Sequence, residues 1–244
     1  MLVFDSAGKL LSKWNERGRG EGAFNSLGFG RIAIDANDNV FLVDNDNHRI
    51  QKFDRAGNFL AQWGSEGVED GQFIRAIGIA TDKDGNVYVT DDGNPFVQKF
   101  DNNGEFLVKW DGRGVDNGQF NYATGIAVDT QGNIFVADYQ NKRVQKLNSQ
   151  GEFIVAWGMG GDINATGVPE AIAIDDQGLV YVTDYIFGRM QVFSNDGEFL
   201  WAWSAKKISE SLFKRPVGIA LDAKGNIHIV NPSGNNMQIF NLPK

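Results

Sequence analysis

Short runs of alternating apolar and polar residues recur along the chain, and turns rich in glycine, asparagine and aspartate separate them. The run from Asn133 to Asp138, for example, has the two-residue period of a β-strand with one buried face. No stretch shows a clear stripe of apolar residues at helical spacing. The pattern therefore predicts an all-β protein made of short antiparallel strands.

These runs belong to a repeat of about 47 residues. Each of five copies of the inner strand ends in an aspartate, and the aspartates lie 47, 47, 46 and 47 residues apart: Asp35, Asp82, Asp129, Asp175 and Asp222. Three residues further on, Asp38 or a glycine tolerates the left-handed backbone of a tight hairpin. A third run follows, and a fourth ends in a tryptophan that we expect to pack between blades at the periphery: Trp63, Trp110, Trp157 and Trp203. Four antiparallel strands per period predict one blade.

Repeats of about 40 to 50 residues with four short strands are typical of a β-propeller. We interpret residues 1–244 as one propeller domain with units at about 31–77, 78–124, 125–170, 171–217, and 218–244 plus 1–30. The five inner strands predict five blades, and the N-terminal strand from Leu10 to Trp14 is expected to complete the last blade and close the ring. One third strand is then surplus, so a six-bladed ring that lacks part of a blade is the alternative.

The third unit has the clearest signature. It runs from Gly125-Ile126-Ala127-Val128-Asp129 through Asp138, Asn141 and Arg143 to Gly151-Glu152-Phe153. These residues resemble the NHL repeat family, whose blades read approximately P-x-G-I-A-V-D-x-x-G-N-V-Y-V-A-D-x-x-N-x-R-I-Q-x-F-D-x-x-G-x-F. Five in-phase copies extend the resemblance over essentially the whole chain. The resemblance implies a propeller, usually of six blades, and a role in binding.

Composition narrows the partners. The net charge of −8 disfavours binding to nucleic acid, because no excess positive field is available to release counterions. There is no cysteine, and no apolar run approaches the length of a membrane span. A monomer is expected. The compartment stays open between the cytoplasm, which is slightly favoured, and an excised extracellular domain.

Few residues point to catalysis. NHL-like amidating lyases hold zinc with several histidines, whereas this chain has only His48 and His228, which lie in different units. The acidic string from Asp44 to Asn47 lacks the layout of a calcium loop and fits a capped turn better. We therefore expect no catalytic residues, no bound metal and no cofactor, although a mixed carboxylate site at the channel remains an alternative.

Candidate binding residues lie on loops that differ between otherwise similar units. In a propeller, the loops entering the inner strand and those joining the second and third strands gather on one face, around the central channel. Aromatic side chains flanked by arginines suit a peptide, a protein loop or a sugar, and capping of the core is their alternative role. The entry loops contribute Phe29, Arg31, Arg75, Tyr122, Glu170 and Arg215, and the second set contributes His48, Asp92, Tyr139, Gln140, Tyr185 and Phe187.

The leading hypothesis is a non-enzymatic scaffold or sensor that binds a protein or peptide through this loop face. A second hypothesis is a hydrolase or lyase with a small-molecule site at the channel mouth that uses carboxylates and a divalent metal. A third is a fragment or an engineered scaffold without a ligand. Fold analogy carries part of the first hypothesis.

Overall fold

The structure is a computed structural model that describes residues 1–5, 8–14, 17–25, 31–161, 166–204, 215–232 and 236–241. Within these ranges the chain forms 21 β-strands, one short 3-10 helix at Asn45–Asn47 and no α-helix. The predicted all-β class is confirmed.

The strands follow one another as one N-terminal pair and five blades. The pair is β1 (Leu2–Phe4) and β2 (Leu10–Lys13). The first blade contains β3 (Ile32–Ile34), β4 (Val40–Asp44), β5 (Arg49–Phe53) and β6 (Phe59–Trp63), and the second contains β7 (Ala76–Thr81), β8 (Val87–Asp91), β9 (Phe96–Phe100) and β10 (Phe106–Asp111). The third contains β11 (Ala123–Val128), β12 (Ile134–Asp138), β13 (Arg143–Leu147) and β14 (Phe153–Gly158), and the fourth contains β15 (Pro169–Ile174), β16 (Val180–Asp184), β17 (Arg189–Phe193) and β18 (Phe199–Ser204). The fifth contains β19 (Gly218–Leu221), β20 (Asn226–Asn231) and β21 (Asn236–Asn241).

Each blade is an antiparallel meander in which every strand pairs with the next one along the chain. The first strand of each blade is innermost, and β3, β7, β11, β15 and β19 contact one another in that order. Five blades in sequence therefore surround a common axis. This arrangement is a β-propeller, and the fold and blade count expected from the repeat are confirmed.

The N-terminal strands pair differently from the prediction. β2 pairs with β1, and in the described part of the chain β21 pairs only with β20. Trp14, directly after β2, packs against the first blade with its ring centroid 6.2 Å from that of Phe53. The hydrogen bonds thus correct the expectation that the strand from Leu10 to Trp14 is added to the fifth blade. The physical reason is that β1 lies a few residues away, and closing so short a loop costs far less entropy than pairing with the distant β21.

The core lies between the blades. Separate clusters of buried side chains join each blade to the next one, and a further cluster joins the N-terminal pair to the first blade. Trp63 of the first blade lies 5.8 Å from Phe100 of the second, between ring centroids, and covers Gly104. The prediction that the repeated tryptophans pack between blades is thereby confirmed at this position.

Candidate functional site

The second, third and fourth blades each bring an entry-loop residue and a turn residue together at one end of the channel. The backbone N–H of Asp92 donates to the carbonyl of Arg75 at 3.1 Å, and the N–H of Tyr139 donates to the carbonyl of Tyr122 at the same distance. In the fourth blade, the N–H of Tyr185 donates to the carbonyl of Val168 at 2.9 Å. Side chains from the two predicted sets of loops therefore emerge side by side.

In the second, third and fourth blades, a buried aspartate at the end of the second strand holds the entry loop in place. Asp91 accepts the backbone N–H groups of Ile74 and Arg75 at 2.6 and 2.9 Å. Asp138 accepts the N–H of Asn121 at 2.8 Å and the Nε–H of Arg143 at 2.9 Å. Burial raises the pKa of both carboxyl groups, and these hydrogen bonds to the charged form oppose the rise. Both aspartates occupy the position of Asp44, which begins the string that the sequence analysis assigned to a capped turn.

Five of the predicted binding residues contact one another in series, and we call them the mouth arc: Arg75, Tyr122, Tyr139, Tyr185 and Arg215. The rings of Tyr122 and Tyr139 lie 5.4 Å apart, and those of Tyr139 and Tyr185 lie 6.0 Å apart. The guanidinium of Arg75 lies 5.4 Å from the Tyr122 ring centroid, and that of Arg215 lies 5.6 Å from the Tyr185 ring centroid. A continuous row of three aromatic rings thus has a cation at each end.

Two predicted carboxylates lie beside the arc, and each is paired with an arginine. The buried Asp92 accepts the Nε–H of Arg75, which raises the pKa of Arg75. Glu170 accepts the Nη2–H of Arg31 at 2.6 Å, and its backbone carbonyl accepts from the same nitrogen at 3.0 Å. Burial raises the pKa of Glu170 and lowers that of Arg31, while their mutual attraction opposes both shifts.

The phenol groups of Tyr122 and Tyr139 stay protonated at neutral pH. Burial, followed by the Asp92 carboxylate, raises the pKa of Tyr122 to about 12. Burial and the negative charge of Glu170 raise the pKa of Tyr139. The Tyr139 hydroxyl is therefore available as a hydrogen-bond donor to a carbonyl or carboxylate of a ligand.

The remaining predicted residues lie outside this series of ring contacts. His48 ends the Asn45–Asn47 turn with a left-handed φ of 53°, and the exposed Gln140 donates its backbone N–H to the carbonyl of Asn121 at 3.0 Å. The ring of Phe187 is 53% exposed and lies 5.1 Å from the guanidinium of Arg189. Phe29 is outside the described residues.

Two neighbours of the arc were not singled out from the sequence. Val168 occupies the entry position of the fourth blade, and the signal for it was its place seven residues before Asp175, the offset that Arg75 and Tyr122 share in their own blades. Ile186 is 57% exposed between Tyr185 and Phe187, where the other blades carry a polar residue or glycine. An apolar residue at a turn position was the available signal.

The described residues contain no group of three or more histidine, cysteine, aspartate or glutamate side chains placed to hold a metal ion. Among them there is also no helix long and apolar enough to cross a membrane.

Comparison with known proteins supports the repeat assignment. The family model of the NHL repeat matches residues 30–53 and 120–147. The chain is thus a β-propeller protein that contains NHL repeats, as the resemblance predicted. No curated protein matches the chain.

Solved propellers share the fold at low sequence identity. A streptogramin B lyase matches with a TM-score of 0.65 and 16% identity over 87% of this chain and 68% of its own. A catalytically inactive variant of virginiamycin B lyase from Staphylococcus aureus, solved with quinupristin, matches with a TM-score of 0.69 and 12% identity over 99% of this chain and 73% of its own. A chain of a nidogen/laminin complex matches with a TM-score of 0.65 and 14% identity over 86% of this chain and 74% of its own. At these identities the likeness shows the fold alone.

Proposed function

We propose that this protein is a non-enzymatic binding module that presents the mouth arc to a protein or peptide partner. The observation that carries the proposal is the unbroken series of three tyrosine rings with an arginine at each end. Tyrosine and arginine are enriched among the residues that contribute most to binding at protein interfaces. A tyrosine ring also supplies a large contact area with few rotatable bonds.

The arc is arranged before any ligand arrives. The backbone hydrogen bonds between Tyr122 and Tyr139 and between Val168 and Tyr185 hold its two loop sets together. The buried carboxylates of Asp138 and Asp184 hold the same entry loops through the N–H groups of Asn121 and Val168. A surface that is already ordered loses little conformational entropy on binding, which favours a useful affinity.

Among the similar folds, the nidogen/laminin complex is an assembly of two proteins. It is a precedent for a propeller that takes part in a protein complex, and it supports the proposal by analogy of fold.

The hydrolase or lyase alternative has less support from the described side chains. Asp92 and Glu170 each form an ion pair with an arginine, so each carboxylate already has a charged partner. The similar virginiamycin B lyase is inactive as a histidine-to-alanine variant. Here His228 lies 3.2 Å from Asp222, at the end of its blade opposite the arc, and His48 lies in the turn of the first blade.

The proposal is tested with peptides selected on the immobilised wild-type protein from a random phage-displayed library. Synthetic copies should bind the wild type and Tyr139→Phe, which keeps the ring, but bind Tyr139→Ala about 10-fold more weakly, a difference of about 1.4 kcal/mol. Arg55→Ala is the matched control, because Arg55 is exposed in the turn between β5 and β6 and pairs with Asp38. Equal affinity for the wild type and Tyr139→Ala would contradict the proposal.

A second measurement addresses the enzymatic alternative. Quinupristin incubated with the protein is expected to keep its chromatographic retention time. A new peak that forms with the wild type and not with a heat-denatured sample would favour the lyase.

A further inference from the structure

The two ends of the mouth arc differ in charge compensation. At one end, the guanidinium of Arg75 is neutralised by the buried Asp92. In the centre, Arg31 and Glu170 neutralise each other. At the other end, Arg215 is exposed, and no carboxylate of the described residues lies within ion-pair distance of it. Among the described residues, Arg215 is therefore the cation of the arc that has no carboxylate partner.

The backbone holds Arg215 in an uncommon conformation. Its φ is 59°, in the left-handed region that residues other than glycine seldom occupy. Tyr122, at the equivalent position of the third blade, has a φ of 65°. The entry loop thus directs both side chains onto the neighbouring rings, and the guanidinium of Arg215 lies 5.6 Å from the centroid of Tyr185.

Apolar surface continues from Tyr185 along the same loop. Ile186 and Phe187 follow it directly, and both are more than half exposed. An adjacent exposed pair of this kind marks a place where a partner can bury apolar side chains. The Arg215 end of the arc therefore combines a positive charge without a carboxylate partner among the described residues, an aromatic face and exposed apolar side chains.

On the basis of the proposed function, we infer that the partner is a peptide segment with a carboxylate that binds Arg215 and an adjacent apolar side chain that packs on Ile186 and Phe187. The carboxylate belongs to an aspartate, a glutamate or a chain terminus. A guanidinium donates two parallel hydrogen bonds to such a group, and stacking on Tyr185 holds it in position.

The charges around the arc favour a single carboxylate over a polyanion. A nucleic acid strand that follows the arc would bring several phosphates to a surface where Arg75 and Arg31 are already paired with Asp92 and Glu170, and the net charge of −8 adds a general repulsion. A peptide carries its one negative charge to Arg215 and can place neutral groups over the tyrosines.

In the test, peptides are first selected on the wild-type protein. Their sequences are then compared, and so is the dependence of their binding on Arg215. Selected peptides should be enriched in aspartate or glutamate beside an apolar residue. Arg215→Ala should weaken their binding about 10-fold, Arg215→Glu should weaken it further, and Arg215→Lys should keep part of it. Arg55→Ala serves as the control for loss of an arginine charge away from the arc. Thermal unfolding of each variant verifies that it is folded, and labelled oligouridine is the nucleic acid probe.

The outcomes separate this inference from the proposed function. Peptides that require both Tyr139 and Arg215 support both. A different result would overturn the inference and leave the proposed function standing. In that case the peptides require Tyr139, but they show no acidic enrichment and bind Arg215→Ala with the same affinity as the wild type. Failure to obtain peptides that depend on Tyr139 overturns both. Arg215-dependent binding of oligouridine that is tighter than that of the peptides overturns the inference in favour of nucleic acid.

Discussion

Arg31 of the first blade and Glu170 of the fourth blade form an ion pair across the axis of the propeller, with 2.6 Å between Nη2 and Oε1. Both side chains are less than one-fifth exposed. Gly125 of the third blade leaves room for the same guanidinium, because an added Cβ there would lie 2.9 Å from Nη1 of Arg31. One arginine thus contacts two blades that are not adjacent to its own.

The losses of stability caused by removing the two members of this pair should not be additive. Glu170→Ala leaves the Arg31 guanidinium partly buried without its counter-charge, and we expect a loss of about 2–4 kcal/mol in the free energy of unfolding. Arg31→Ala should cost a similar amount, and the double variant should cost less than the sum of the two. Urea denaturation of all four proteins measures the coupling. Strictly additive losses would show that the pair contributes nothing.

The same carboxyl group should give the fold a measurable pH dependence. Burial raises the pKa of Glu170 above its ordinary value of 4.5, so the folded protein holds this proton to a higher pH than the unfolded chain does. The free energy of unfolding of the wild type should therefore fall, relative to that of Glu170→Gln, as the pH rises from about 4.5 through the raised pKa. Urea titrations of both proteins at several pH values measure the difference between their free energies of unfolding. The contributions of the other titrating groups cancel in this difference. A wild type that gains stability relative to Glu170→Gln over this range would reverse the sign and contradict the shift.

Much of the fold could be predicted because each blade repeats the same hydrogen-bonded hairpin turn. The aspartate that ends an inner strand accepts backbone N–H groups two and four residues on, as Asp129 does from Gln131 and Asn133 at 2.9 and 2.8 Å, so the hairpin is encoded within a few residues. The pairing of β2 could not be predicted in this way. β1 and β21 both match a third strand, and the choice between them depends on contacts that have no local signature.

The site was predictable to a similar extent. The offset shared by Arg75, Tyr122 and Arg215 and the aromatic turn residues marked the loops that meet at the channel mouth. Which of these side chains touch depends on the rotation between blades, and the pairing of Arg31 with Glu170, 139 residues apart, depends on the whole ring. Neither relation is encoded at the level of a single repeat.

The buried aspartates behind the arc should be essential to it. Asp138→Asn removes the counter-charge of Arg143, whose side chain is 9% exposed, and disturbs the acceptor of the Asn121 N–H. We expect a loss of about 3–5 kcal/mol, because breaking a buried pair leaves an uncompensated charge. Asp38→Asn is the control, since its pair with Arg55 is exposed and should contribute less than about 1 kcal/mol. Denaturation curves compare the two variants, and equal midpoints would refute the assigned role.

The contact between Trp63 and Gly104 makes a prediction about how adjacent blades pack. Gly104 has a φ of +88°, and a Cβ at this position would overlap the Trp63 ring of the preceding blade. Gly104→Ala therefore combines backbone strain with displacement of a ring that also packs on Phe41 and Phe100, and we expect it to lower the free energy of unfolding by about 3 kcal/mol.

A matched glycine separates these two contributions. Gly118 has a φ of +80°, and an added Cβ there meets nothing within 4 Å, so Gly118→Ala should show the backbone strain alone, about 1 kcal/mol. The difference between the two variants measures the packing of tryptophan against the neighbouring blade, and the fluorescence of Trp63 should change only in Gly104→Ala. If both variants lost the same stability, the ring would have moved aside without cost, and the tryptophan could not be what fixes the spacing between the first and second blades.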